Sequence, residues 1–141
     1  MLGALSAALL ALAAVGTGCG SDDADYANAD RPPAPVAISI ALTGDRIGVS
    51  PARVGAGPVL LLIANESGRS RDVTLTAAGG ARSCVPDDAS SGPINPEDAA
   101  RISLSLVEGA CEVGVADGTI RPVRLTVGPE RESAQQDLLQ P

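Results

Sequence analysis

From Val36 onward the chain alternates. In VAISIAL (36–42), Val36, Ile38, Ile40 and Leu42 are separated by small residues, a period of two that predicts a strand with one buried face. TGD then turns the chain, and IGV repeats the alternation. PVLLLIA (58–64) is continuously apolar, the pattern of a strand covered on both faces. DVTLT places Val73 and Leu75 inward. RISLSL places Ile102, Leu104 and Leu106 inward with Ser103 and Ser105 outward, and CEVGV and VRLTV follow the same rule. Turn signals fall at Gly44, Gly55–Gly57, Gly68, Gly79–Gly80, Gly109 and Gly118. Seven to eight short strands with such frequent turns predict an all-β domain, an antiparallel sandwich or barrel, over residues 36–129.

Two stretches escape the pattern. VPDDASSGPINPEDAA (85–100) reads as a long loop in which Asn95, followed by Pro96, caps one helical turn. ERESAQQDLLQP (130–141) reads as a polar C-terminal tail, a short helix or extended, that packs back through Leu138 and Leu139.

The N-terminus carries a different pattern. MLGALSAALLALAAVGTGCG opens with about 14 uncharged residues, too short for a comfortable bilayer span and suited to the apolar core of an export signal. Its end, AVGTGC, resembles a bacterial lipoprotein signal, in which residues 1–18 are removed and Cys19 is acylated. Gly16 stands where such signals usually carry a Leu-like residue, and no Lys or Arg precedes the apolar run. Residues 19–35 continue as an acidic, Pro-rich stretch with nothing to bury, read as a disordered tether. The resemblance implies a protein held on the cell membrane through lipid on Cys19, facing the extracytoplasmic side; two or more acyl chains anchor stably. An ordinary secretory signal or an uncleaved anchor, with Cys19 as a spare thiol, is the alternative.

With Cys19 set aside, Cys84 and Cys111 remain. Exported proteins sit where disulfides persist. Cys111 shares the inward phase of Val113 and Val115. A Cys84–Cys111 bridge would close a loop of about 27 residues, worth about 3.5 kcal/mol in the chain-entropy model. A redox or metal-ligand pair is disfavoured, because the spacing is not CxxC and no other soft ligand is at hand.

Composition narrows the function. There is no His, Lys, Trp or Phe, the ten basic residues are all Arg, and the one Tyr, Tyr26, precedes the domain. The formal net charge is −7, but residues 36–129 carry eight Arg against ten acids, so the excess lies mainly in the flanks. A near-neutral body without Lys or aromatics argues against nucleic-acid binding. It also lacks the aromatic platforms common at carbohydrate sites. Nucleophilic catalysis needs a base beside Ser, Cys or Thr, only carboxylates are available, and no G-x-S-x-G elbow occurs; an enzyme is not expected.

At this point a family resemblance becomes visible. ISIALTGDRIGVSPARVGAGPVLLLIANESGRSRDVTL resembles the first half of a cupredoxin-like domain through Pro51, Val54, Ala56–Val59, Asn65 and Gly68. INPEDAARISLSLVEGACEVGV resembles its later part through Ile94, Pro96, Leu106, Gly109 and Val113. The family's Gly after Pro is Glu97 here, and its Tyr is Cys111. The match covers roughly residues 36–130 and is similar to small actinobacterial lipoproteins carrying this domain. It implies a Greek-key β-sandwich. Copper-binding members use two His, a Cys and often a Met. The resemblance puts the first His at Arg71 and the Cys near Val115 or Ala116, with the rest in DGTIRP, which holds neither His nor Met; the only Met is Met1. A permanently cationic Arg has no lone pair to donate. No metal and no cofactor are therefore expected, unless another chain supplies ligands.

Two sites remain to be weighed. Arg69 and Arg71 pair with Glu66 and Asp72, or clamp an anion or a partner; hairpin arginines are most often solvated or weakly paired. Asp87, Asp88, Asn95, Glu97 and Asp98 offer oxygen ligands for calcium, in a spacing that matches no known loop. The expectation is a membrane-anchored lipoprotein presenting a metal-free, cupredoxin-like binding or structural module to an unknown protein partner. The alternatives are an accessory factor docking with a redox or metal-handling enzyme, and a calcium-stabilised adhesion module.

Overall fold

The computed structural model describes residues 31–134. The expectations for the signal peptide, Cys19, most of the tether, Leu138 and Leu139 lie outside the described residues. Those described form eight strands and no helix: β1 (Val36–Thr43), β2 (Arg46–Ser50), β3 (Arg53–Asn65), β4 (Arg71–Ala77), β5 (Ala89–Ile94), β6 (Ala99–Leu106), β7 (Gly109–Val115) and β8 (Val123–Glu130). The strand order is β2-β1-β3-β8-β7-β4-β5, with β6 on the free side of β3.

Strand β3 organises the fold because it belongs to two groups of strands. Residues Arg53–Ala56 pair with β8, with a register shift between Gly55 and Ala56. Beyond that point β3 lies between β1 and β6. Gly55 and Gly57, read from sequence as a turn, sit inside this strand where it changes neighbours. A Cβ on Gly55 would come within 2.6 Å of the Arg131 side chain, and Gly57 has φ +121°. Without those side chains the Arg131 guanidinium can lie across the bend. It donates to the carbonyls of Ala34, Gly55, Ala56 and Pro58, tying the segment before β1 to the end of β8. Pro33, inside the segment expected as tether, is buried beside Gly57.

Pairing is mixed rather than wholly antiparallel: β1 and β8 both run parallel to β3. The reason is topological. β2 folds back on β1 as a hairpin, and β3 then returns on the other side of β1 in its direction. Alternation encodes which face is buried, not which way a neighbour runs.

The alternating residues meet in one cluster. Ile38, Ile40 and Leu42 of β1 join Val59, Leu61 and Ile63 of β3, Val73 and Leu75 of β4, Val113 and Val115 of β7, and Leu125 and Val127 of β8. Each aliphatic side chain so buried contributes about 1.5–3 kcal/mol relative to exposure. Leu60 and Leu62, on the other face of β3, are only half-buried; their register neighbours are Ala37 and Ser39 on one side, Ser103 and Arg101 on the other. Double coverage of PVLLLIA is thus incomplete among the described residues. Cys84 and Cys111 form the disulfide, with Cα atoms 5.4 Å apart and both residues fully buried. The bridge fastens the segment before β5 to β7.

The region read as a long loop contains β5, which pairs with β4 across a bulge between Asp72 and Thr74. Its sequence, ASSGPI, has no apolar alternation, and only Ile94 is buried. Polar contacts hold it instead: Val73 N–H donates to Ser91 Oγ at 2.9 Å, and Ser90 Oγ donates to Asp72 at 2.6 Å. The helical turn expected after Asn95 is a tight turn between β5 and β6. Asp98 N–H donates to Asn95 O at 3.2 Å, and Glu97 takes φ +63°.

Candidate functional site at the Arg71 end

Arg71 is the first residue of β4, in phase with Val73 and Leu75. Alternation therefore turns a guanidinium inward at the end of the core, and Arg71 is 6 % exposed. Asp72, the next residue, faces the opposite side and binds Ser90, which removes it as the expected partner. The partners of Arg71 lie in the loop after β7. Nη1 donates to Asp117 Oδ2 at 2.8 Å and to Thr119 Oγ1 at 2.6 Å.

That loop is built to receive the cation. Ala116 N–H donates to Asp72 O at 2.9 Å, pinning the loop to β4. Gly118, at φ +65°, closes a turn with its N–H on Val115 O. Thr119 then folds back, its Oγ1–H and N–H both donating to Asp117 Oδ1 at 2.7 and 3.1 Å. The Thr119 hydroxyl, the Thr119 N–H and the Arg71 charge together hold the Asp117 carboxyl below its ordinary value of 3.8. The remainder of the guanidinium is less well served. Nη1 makes both of the Arg71 side-chain hydrogen bonds found among the described residues, and Nε is buried without an acceptor.

The turn after β3 is held by Asn65, fully buried at the end of that strand. Its Oδ1 accepts from Ser67 N–H at 3.0 Å and from Ser67 Oγ at 2.6 Å. Its Nδ2 donates to the carbonyls of Arg69, Ile94 and Asn95 at 2.9, 2.8 and 3.1 Å. One amide side chain thus folds the turn after β3 and joins it to the turn after β5. The result is a cavity of about 580 Å³ with Arg71 in its wall and Gly44, Asp45, Gly68 and Arg69 around it. Arg69 is exposed there, while its carbonyl serves Asn65 and Ser67.

Arg69 and Arg71 are therefore brought to one cavity in unlike roles, one exposed and one buried and ion-paired. Asp117 and Thr119 were missed from sequence, although a D-G-T turn is a recognisable donor–acceptor loop. Asn65 was recognised through the family resemblance alone.

The residues do not fit a copper site. Arg71, where the resemblance would put the first His, is engaged with Asp117, Val115 is apolar and buried, and the loop from Asp117 to Pro122 has no His, Cys or Met. Cys84 and Cys111 are consumed by the disulfide. The proposed calcium ligands do not converge: among the described residues no three His, Cys, Asp or Glu side chains come together as a metal site. The Asp98 carboxylate accepts from Ala99 N–H at 2.8 Å. Comparison with protein-family models and with curated proteins returned no match.

Proposed function

We propose that this protein is a lipoprotein anchored at Cys19 on the extracytoplasmic side of the membrane, presenting a metal-free, cupredoxin-like β-sandwich as a non-catalytic binding module. One observation carries the reading. The position the family resemblance gives to a copper ligand holds a buried Arg71, committed to Asp117 and Thr119 and bordering an open cavity. Two groups of strands sharing β3 around one aliphatic core support the sandwich. The apolar N-terminal run, AVGTGC and the acidic stretch after it support the anchor.

The orientation suits such a role. β1 starts at Val36, beside the tether end, and finishes at Thr43, next to Gly44 on the cavity rim. Eight residues of strand span about 26 Å. The Arg71 cavity therefore lies at the end of β1 opposite the point where the tether joins the domain, clear of the anchor. Intact-mass spectrometry of Cys19, combined with membrane fractionation, tests the anchor. Acyl chains on Cys19 and release by detergent but not by salt are expected; a free Cys19 thiol in membrane fractions overturns it.

A further inference from the structure

We infer that β6 is a dimerisation edge: two copies of this chain pair their β6 strands antiparallel about a two-fold axis at Ser103. The backbone directions lead to it. Successive residues of a strand send their N–H and C=O to alternate sides. Asn65 N–H donates to Asp98 O at 2.9 Å and Asn65 O accepts from Glu97 N–H at 2.7 Å, whereas Glu66 N–H donates to Leu42 O of β1 at 2.8 Å. Val59, Leu61 and Ile63, in phase with Asn65, therefore bond their register partners Leu104, Ile102 and Ala100. Arg101, Ser103 and Ser105 turn their backbone groups the other way, off the sheet. Val107, in phase with them, does the same, and its N–H donates to Cys84 O at 2.9 Å. Beside Arg101, Ser103 and Ser105 the edge is open: all three are exposed, β6 pairs with β3 alone, and no hydrogen bond from a loop reaches them among the described residues.

The other outer strands are poor templates for a further strand. β2 is five residues long and runs into Pro51. β5 contains Pro93 and Gly92 at φ +67°, and a bulge breaks its register with β4. β6 has eight residues, no Pro or Gly, one charge and an unbroken register with β3. An edge of that kind invites pairing with another chain. Its core-side residues are also incompletely covered: Ala100, Ile102 and Leu104 pack on the core but are only partly buried.

The edge is complementary to itself. Opposed residues in a sheet share a face, so odd positions must meet odd positions for Ile102 and Leu104 to stay on the core side. Centred on Ser103, the pairing opposes Ser103 to Ser103 of the second copy and Arg101 to its Ser105. All three open residues are used, for about six backbone hydrogen bonds. Ile102 then faces Leu104 of the second copy, which extends the apolar face. Moved toward the start of β6, the pairing takes in Ala99, whose N–H is held by Asp98, and then opposes Arg101 to itself. Moved the other way, it takes in Val107, whose N–H is held by Cys84. In the Ser103 register the two Arg101 side chains lie four residues apart along the edge, about 14 Å, beyond the screening length of about 8–10 Å.

The test places single cysteines in the full-length chain, oxidises with diamide and reads non-reducing gels. Cys84 and Cys111 are already bridged, and the unsubstituted chain run alongside accounts for Cys19. Residues opposed in a hydrogen-bonded pair have Cα atoms about 5.5 Å apart, within disulfide reach. Ser103→Cys is therefore expected to give a band at twice the chain mass. Arg101→Cys and Ser105→Cys, equally exposed but about 14 Å from their own symmetry mates, are expected to give little when alone and a strong band when mixed. Ser103→Lys added to both mixed chains opposes two like charges at the axis. Loss of the mixed cross-link is expected, with an unchanged circular dichroism spectrum. If the Ser103→Lys chains fail to fold, the cysteine pattern alone decides. Absence of the Ser103→Cys dimer, equal linking at all three positions, linking of Ser103→Cys to a different protein, or a mixed cross-link that survives Ser103→Lys in folded chains overturns the inference.

Discussion

Arg71 Nη1 and Asp117 Oδ2 meet at 2.8 Å although 46 residues separate them in the chain. The pair is asymmetric: Arg71 is 6 % exposed and Asp117 49 %. Removing the acid strands a buried cation, whereas removing the cation leaves an acid that water can solvate. Asp117→Asn is therefore expected to lower the melting temperature more than Arg71→Leu, measured by circular dichroism at pH 7. The reverse order would mean that Arg71 stabilises the domain mainly through contacts other than the pair, such as the one to Thr119.

The same geometry sets an acid response. The Asp117 carboxyl titrates below 3.8 when folded, and the largest cause is the hydrogen bond from the Thr119 hydroxyl. A lowered folded value means that the unfolded chain binds the proton more readily. The contribution is fully present above 3.8 and is lost as pH falls through the lower, folded value. A ¹³C-carboxyl NMR titration is expected to give a midpoint below 3.8. Thr119→Val is expected to move it upward more than Arg71→Leu does, since the Arg71 charge is the smaller cause.

Asn65 offers a sharper structural test. Asn65→Asp keeps the shape but removes the donor facing the carbonyls of Arg69, Ile94 and Asn95, and buries a charge. A loss of about 3 kcal/mol or more is expected in denaturant unfolding. The turn carrying Gly68 and Arg69 should loosen with it, read as faster amide exchange from Ser67 to Ser70.

How much of the fold and site was legible in the sequence depends on the kind of information. Ile38, Ile40 and Leu42, or Cys111, Val113 and Val115, announce their burial by phase, because a strand has only two faces. The Cys84–Cys111 bridge followed from phase together with the pair of cysteines left once Cys19 is set aside. Strand direction did not, since β1 lying parallel to β3 depends on where the hairpin sends the chain. β5 was hidden because serine hydroxyls, not apolar side chains, hold ASSGPI against β4. Arg71 was suspected as a site, but its partners lie in a distant loop, and neighbours in sequence such as Asp72 point to the other face. The cavity exists only where the turns after β1 and β3 meet the loop after β7.

Glu97 carries a further expectation, from its backbone conformation. It occupies the slot where the resemblance places Gly, and it adopts φ +63°. A left-handed conformation costs a non-glycine residue about 1–2 kcal/mol, partly offset by the backbone entropy that Gly loses on folding. Glu97→Gly is expected to stabilise the domain by about 0.5–1 kcal/mol, a rise of a few degrees in melting temperature. No change or a loss would show that the Glu97 side chain makes a compensating contribution.

Where the resemblance would put a copper ligand, Arg71 is held in an ion pair with Asp117, so metal content is the decisive quantity. The full-length chain, incubated with excess copper and then desalted, is measured by inductively coupled plasma mass spectrometry alongside its absorption spectrum. Far less than one copper per chain and no thiolate-to-copper band are expected. One tightly held copper per chain would mean that the protein is a metal carrier after all.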